Sequence, residues 1–193
     1  DGSGITYADW LTDFHSTKVG LDMNVVGHFD TGPLAHEITV GGNYSKLTSD
    51  DAYWRNFDAG GNIFDIDHDR PEPSRDSVFD GDLARSNRAS YDIRQKGLYG
   101  AWRVKPTQDL TVILGTRVSW FDYSWDSIDF NSLTDPGTRY PTSRMTETGQ
   151  VTPYAGFVYD LTREWAWYAS YTDVFVPQTE RAVGNAPLKP VIG

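Results

Sequence analysis

The 193-residue sequence contains no cysteine, no long apolar run and no cluster of basic residues. Without cysteine, the chain forms neither disulfides nor thiolate metal sites. No stretch approaches the ~18 consecutive apolar residues of a membrane-spanning helix, which excludes helical spans but not transmembrane strands. The net charge of −10 argues against a nucleic-acid partner, because phosphate binding requires clustered lysine and arginine.

The residues that are abundant favour β-structure. Aromatic residues make up 14% of the chain, with seven Trp and eleven Tyr, and there are 18 Gly. The mean hydropathy is nevertheless negative. Many aromatic and glycine residues in a polar chain are typical of strands that present one apolar and one polar face.

Six segments alternate apolar and polar residues with the period of two that is typical of strands. In the first, Val19, Leu21 and Met23 alternate with Asp22 and Asn24. We therefore predict an all-β fold, an antiparallel meander of about six long strands. The predicted strands cover about residues 19–30, 36–47, 89–105, 110–125, 147–161 and 165–176.

The connections between these segments are alternately short and long. Short turns lie near residues 31–35, 106–109 and 162–164, so in a meander they share one end of the sheet, and the long polar connections share the other. We predict loops at about residues 1–17, 49–87, 126–145 and 177–193, on the extracellular side of a transmembrane barrel. Because the smallest outer-membrane barrels use about eight strands and open edges are not tolerated in lipid, six strands indicate part of a larger barrel.

The end of the chain contains the most specific motif. Tyr168–Gln178 reads YASYTDVFVPQ and is followed by PLKPVIG at Pro187–Gly193. These segments resemble the TonB-dependent ferric-siderophore receptor family, in which a similar strand leads into a loop ending in LKPVxG. Segments at His36–Tyr44, Leu114–Trp120 and Val151–Gly156 are also similar to the family and occur in its order.

The resemblance implies a 22-stranded barrel of the bacterial outer membrane, closed by an N-terminal plug domain. Family members bind ferric siderophores outside the cell and import them with energy supplied by TonB. Residues 1–193 would then form one partial barrel domain, without the plug. The implied partners are a ferric siderophore, outer-membrane lipid and the TonB complex, which acts through the plug region. The siderophore is a transported ligand, and no resident cofactor is expected.

The sequence offers little support for catalysis or for a metal site. The four histidines are dispersed, and there is no HExxH or GxSxG motif, so we do not expect an enzyme. Asp65, Asp67 and Asp69 have the spacing of a calcium loop, but Arg70 stands where an EF-hand requires glycine. We expect a solvated acidic loop there, with a bound ion as the alternative.

One group of aromatic residues lies at or near the ends of the predicted strands. Amphipathic rings at such positions form the girdles that flank the apolar band of a membrane barrel. Arg103 and Arg117 interrupt the strand patterns, so we expect them to face the barrel interior or to lie near a membrane boundary. In the barrel interior we favour an ion pair, with contact to the plug as the alternative. The predicted girdle residues are Tyr44, Trp102, Trp120 and Trp165.

A second group of aromatic residues lies in or beside the long loops, close to two arginines. Rings pack on the organic shell of an iron–siderophore complex, and arginine pairs with its anionic groups. Ordinary loop packing is the alternative for each residue. The candidate ligand-binding residues are Tyr53, Trp54, Arg55, Trp125, Arg139 and Tyr140.

Two other functions fit an all-β chain rich in aromatic residues. A soluble carbohydrate-binding module would use exposed Trp and Tyr, and it would be monodisperse and unfold cooperatively without detergent. A passive porin-type channel would show no saturable binding of an iron chelate.

Overall fold

The computed structural model describes residues 2–69, 71–72, 74, 76, 85–132, 134–178 and 188–193. Strands dominate it: five of them have 18 to 29 residues, and a sixth strand of the same sheet has seven. In chain order the strands are β1 (Ser3–Thr31), β2 (Leu34–Asn62), β3 (Arg85–Lys105), β4 (Leu110–Phe130), β5 (Thr138–Arg139), β6 (Ser143–Asp160), β7 (Ala166–Thr172), β8 (Phe175–Val176) and β9 (Val191–Ile192).

Six strands form one sheet in the order β1-β2-β3-β4-β6-β7, and β5 pairs with β4. Each of the six therefore lies beside its neighbours in sequence, which confirms the predicted all-β antiparallel meander. The pairing of β6 with β7 runs from Tyr154 opposite Thr172 to Asp160 opposite Ala166. β8 and β9 form a separate two-stranded pair.

The first two strands are longer than the sequence predicts. β1 begins at Ser3, so most of the predicted loop 1–17 is strand, and β2 continues to Asn62, well into the predicted loop 49–87. Apolar residues in these segments fall on both faces. The alternation that marks a strand in sequence is therefore lost, although the backbone pairing continues. The loop prediction is wrong for these two segments.

The later loops differ from prediction as well. β4 continues to Phe130 and β6 begins at Ser143, which narrows the predicted loop 126–145 from both sides. The predicted closing loop 177–193 contains β9, whose two residues pair with β8. Residues 179–187 of that loop lie outside the described residues.

The short turns lie where the sequence predicts them. Gly32 and Pro33 connect β1 to β2, and Gly32 has a φ of 63°, which is accessible to glycine at little cost. The other short connections are residues 106–109 and 161–165.

The chain divides into two compact units. Unit 1 comprises residues 1–17, 48–92 and 124–143, and it contains the segments next to the long connections. Unit 2 comprises residues 18–47, 93–123 and 144–193, and it contains the short turns. Among the described residues, no helix is long and apolar enough to cross a membrane.

Unit 2 exposes most of its large apolar side chains. Val25 is 74% exposed, Leu98 61% and Trp167 69%. Within the described part of the chain, only Val104, Phe121 and Met145 are buried hydrophobic residues. An apolar surface of this kind is tolerated where it contacts lipid or another apolar partner, and not in water.

The opposite face of unit 2 carries a polar network. Arg117 donates to Asn43 Oδ1 at 2.9 Å and to Ser119 Oγ at 2.9 Å. Tyr99 donates its hydroxyl to Asp22 Oδ1 at 3.0 Å. Among the described residues, an amide and a hydroxyl accept the hydrogen bonds of Arg117, so the predicted ion pair is not found within this part of the chain.

One predicted girdle residue belongs to a stack of rings near the first turn. Trp102 stacks on His36 with 5.7 Å between ring centroids, and Phe29 stacks on His36 at 4.8 Å. Trp102 Nε1 donates to His36 Nδ1 at 3.1 Å, and His36 Nε2 lies 2.6 Å from Thr31 Oγ1. These contacts satisfy the polar atoms of the stack, as a ring at a membrane interface requires.

Candidate functional site

In unit 1, an arginine is held against two aromatic rings. Tyr53 and Arg55 are two residues apart on β2 and so share a face, and Trp10 reaches them from β1. The rings of Trp10 and Tyr53 stack with centroids 6.1 Å apart, and Arg55 Cζ lies 4.8 Å from each centroid. Arg55 Nη2 also donates to the Tyr53 hydroxyl at 3.1 Å. We call these three residues the Arg55 cluster.

A hydrogen-bonded group lies on β3, β4 and the residue after β5. The Tyr140 hydroxyl donates to Asp129 Oδ2 at 3.0 Å, and Asn87 Nδ2 donates to Ser127 Oγ at 2.8 Å and to Asp129 Oδ1. The Tyr140 amide donates to the Ser127 carbonyl at 2.9 Å. We call these four residues the Asp129 network. Its bonds fix the position of the Tyr140 ring.

Electrostatics connect the network with the cluster. The hydrogen bond to the Asp129 carboxylate raises the pKa of Tyr140, and the charge of Asp129, partial burial and the nearby Tyr53 act in the same direction. Because Tyr53 affects the Tyr140 hydroxyl, the two phenols are within electrostatic range of one another.

Two buried N–H groups of unit 1 have no hydrogen-bond partner among the described residues. They are Arg55 Nε and Trp125 Nε1. Trp125 shares its strand face with Ser127 and Asp129, since these residues alternate along β4. An unpaired buried donor costs about 1–3 kcal/mol. Such donors favour a ligand that brings acceptor oxygens.

The loop before Tyr140 is held by a carboxylate. Asp135 accepts backbone hydrogen bonds from Asn131 at 2.8 Å and from Gly137 at 2.9 Å. These two bonds lower the pKa of Asp135 below its ordinary value. Gly137 has a φ of 88°, a conformation that other residues rarely adopt. These contacts therefore fix the backbone at Asp135 and Gly137, shortly before Tyr140.

The six ligand-binding candidates predicted from the sequence fall into two groups. Tyr53 and Arg55 share a face and contact each other, Trp125 lies on the face of Asp129, and Tyr140 bonds to Asp129. Trp54 lies between Tyr53 and Arg55 in sequence, and its side chain therefore points to the opposite face.

Arg139 also points away from the Asp129 network. It pairs with Ile128 of β4, whereas its neighbour Thr138 pairs with Asp129. Arg139 lines a charged cavity of about 390 Å³ together with Asp13, Asp50, Arg88 and Asp126. Ligand binding by any of the six residues stays a prediction.

Trp10 belongs to the cluster but is absent from the sequence prediction. Residues 1–17 carry no strand alternation, so nothing in the sequence indicates that Trp10 and Tyr53 are neighbours. The pairing of β1 with β2 brings them together.

In the acidic loop, Asp67 Oδ1 accepts the Asp69 amide at 3.0 Å, and the Asp67 amide donates to the Tyr7 hydroxyl at 3.3 Å. The described residues contain no group of three or more His, Asp or Glu side chains arranged to hold a metal ion.

Comparison with known proteins places the chain among membrane receptors. A family model described as TonB dependent receptor-like, beta-barrel, matches residues 2–193. The ferric-pyoverdine M114 receptor PbuA of Pseudomonas sp. (strain M114) is 37% identical over 95% of this chain, and the ferric-pyoverdine 358 receptor of Pseudomonas putida is 36% identical over 100%. The chain spans 22% of the length of each of these relatives.

Solved structures are similar as well. The structure of the FpvAI–pyocin S2 complex has a TM-score of 0.67 and 28% identity, over 94% of this chain and 21% of that chain. The siderophore receptor PiuA from Acinetobacter baumannii has a TM-score of 0.59 at 20% identity, over 86% of this chain and 25% of that chain, and supports the fold alone.

Proposed function

This chain belongs to the TonB-dependent receptor-like β-barrel family of the bacterial outer membrane, and we propose that it is part of a receptor that binds and imports a ferric siderophore of the pyoverdine class. Two ferric-pyoverdine receptors share more than a third of its residues, which supports this substrate class. The energy for import is supplied by TonB, acting on regions of the receptor outside these 193 residues.

The observation that carries the proposal is the Arg55 cluster beside the Asp129 network. Arg55 is held against Trp10 and Tyr53, so it binds a ligand with little further loss of conformational freedom. Aromatic rings pack on the organic shell of an iron chelate, and a guanidinium pairs with its anionic groups. Trp125 Nε1 supplies a further unpaired donor.

The family consists of receptors and transporters, and we infer that the chain has no enzymatic role. The polar side chains of the Arg55 cluster and the Asp129 network fit recognition. They include a fixed cation, three aromatic rings and one carboxylate that is already hydrogen-bonded.

Matched arginine substitutions test the proposal. Arg55 and Arg163 carry the same charge, but Arg163 lies in the short turn at residues 161–165 and is not among the six predicted ligand-binding residues. In the full-length receptor we expect Arg55→Gln to weaken ferric-pyoverdine binding by about tenfold, because a fixed charged contact contributes roughly 1–2 kcal/mol. We expect Arg163→Gln to change the Kd less than about twofold.

The Kd is measured by titrating the purified receptor in detergent with the ferric siderophore and following the quenching of tryptophan fluorescence. Equal losses of affinity in the two variants would indicate that the siderophore is recognised by overall charge and not by the Arg55 cluster. Absence of saturable binding by the unmodified receptor would refute the function itself and would favour a passive channel.

A further inference from the structure

An apolar groove of about 620 Å³ crosses four strands of unit 2. Its walls are formed by Leu21 and Met23 of β1, Leu98 of β3, and Tyr44 and Trp120. Gly42 leaves part of the floor without a side chain: a Cβ there would lie 3.0 Å from Leu98 Cδ2. We call this feature the Trp120 groove. Its apolar lining suits a hydrocarbon chain.

Lys96 is the one charged residue among the described residues that line the groove. It is exposed and makes no hydrogen bond or ion pair within the described part of the chain. The Tyr44 hydroxyl and Trp120 Nε1 likewise have no protein partner there. A lysine on a lipid-facing surface is costly unless it reaches the interface or finds an anion. The groove thus combines an apolar channel with one cation and two neutral donors.

The three polar groups occur at one level of the sheet. Lys96 is nine residues from the end of β3 at Lys105, Trp120 is ten residues from the start of β4 at Leu110, and Tyr44 is ten residues from the start of β2 at Leu34. With a rise of ~3.3 Å per residue and a tilt of ~40°, that distance is about 25 Å along a barrel axis, which matches the height of the apolar band. Short turns are periplasmic in such barrels, so Lys96 lies at the boundary of the outer leaflet.

We propose that the Trp120 groove binds an anionic lipid of the outer leaflet, with one acyl chain in the groove and the headgroup phosphate paired with Lys96. The inference rests on the outer-membrane location on which the proposed function also depends. A phosphate complements the unpaired ammonium group, and the phenol and indole can donate to the remaining phosphate oxygens.

A second apolar groove of unit 2 provides an internal comparison. Its volume is about 560 Å³, and Val112, Leu114, Phe157 and Tyr171 are among its lining residues. No charged residue lines it within the described part of the chain. Lipid chains are expected to cover this groove without preference for the headgroup.

The test uses the full-length receptor in vesicles whose lipids carry bromine on the acyl chains, which quenches nearby tryptophan. Brominated phosphatidylglycerol is compared with brominated phosphatidylcholine, and the signal of Trp120 is the difference between the receptor and its Trp120→Phe variant. One lysine near an anionic phosphate favours binding about fivefold, so we expect about fivefold preference for phosphatidylglycerol at Trp120.

We expect Lys96→Gln to reduce this preference to about one and Lys96→Arg to retain it. Lys105→Gln is the matched control, since Lys105 ends the same strand but does not line the groove. The proposal is overturned by equal quenching from both lipids, by preference that survives in Lys96→Gln, or by loss of preference in Lys105→Gln. Displacement of the brominated lipid by millimolar inorganic phosphate overturns the proposal as well, because the acyl chain of the lipid would then contribute nothing to binding.

Siderophore binding is measured on the same samples. Lys96 lies outside the Arg55 cluster, so Lys96→Gln is expected to keep the ferric-pyoverdine Kd of the unmodified receptor. A receptor that binds the siderophore without lipid preference overturns this inference alone. One that shows lipid preference without siderophore binding overturns the proposed function alone.

Discussion

At the scale of single residues, the structure divides candidates that are adjacent in sequence. Tyr53, Trp54 and Arg55 look equivalent in the sequence, but the strand that contains them turns Trp54 away from the other two. Residue type and position are sufficient to identify Tyr53 and Arg55 as candidates. Contact with Trp10 depends on strand pairing across 43 residues, which no local pattern encodes.

The hydrogen bond between Tyr140 and Asp129 predicts a measurable titration. The raised pKa of Tyr140 means that the folded protein favours the neutral phenol. The contribution of Tyr140 to the free energy of unfolding is therefore present below the ordinary tyrosine pKa, and it is lost as the pH rises through the raised pKa. Alkaline difference absorbance of the receptor against Tyr140→Phe should show a tyrosine that ionises above the ordinary range.

Asp129→Asn should return the pKa of Tyr140 toward the ordinary value, because the carboxylate is the main cause of the shift. A Tyr140 that ionises in the ordinary range in the unmodified receptor would contradict the hydrogen bond described above.

At the scale of strands, glycines in unit 2 accommodate long side chains from the adjacent strand. Tyr99 of β3 covers Gly41 of β2, and Tyr154 of β6 covers Gly115 of β4. Arg117 covers Gly97 in the same way. Packing of a ring over a strand glycine compensates for the missing side chain and favours one register. The sequence shows glycines within strands but not which side chain covers each one, because that depends on register.

Substitution of Gly115 should therefore displace Tyr154. We expect Gly115→Ala to lower the free energy of unfolding by about 1–2 kcal/mol, since the added methyl group occupies the place of the ring. Gly27→Ala is the control, because a Cβ at Gly27 has no atom within 4 Å. The measurement is urea unfolding of the full-length receptor in detergent.

A Tyr154→Ala background separates this packing effect from a general cost of alanine. If the added methyl group clashes with the Tyr154 ring, Gly115→Ala should lower the free energy of unfolding by less when that ring is already absent. The same cost in both backgrounds would show that Tyr154 does not pack on Gly115.

At the scale of the whole molecule, the fold class was accessible from sequence and the strand lengths were not. Val19, Leu21 and Met23 alternate clearly because one face of their strand is apolar, whereas residues 3–17 of the same strand carry no such signal. The meander leaves β1 and β7 as the edges of the described sheet, and unit 2 presents an apolar face. Both features fit a chain that spans about a fifth of the length of its relatives.

The central claim is that the chain is part of a receptor for ferric siderophores. The most direct measurement is uptake of radioactive iron, supplied as ferric pyoverdine, by cells with and without the gene for the full-length receptor. We predict uptake that saturates with concentration and is lost on deletion of the gene or of TonB. Uptake that rises in proportion to concentration and continues without TonB would contradict the account and indicate a passive channel.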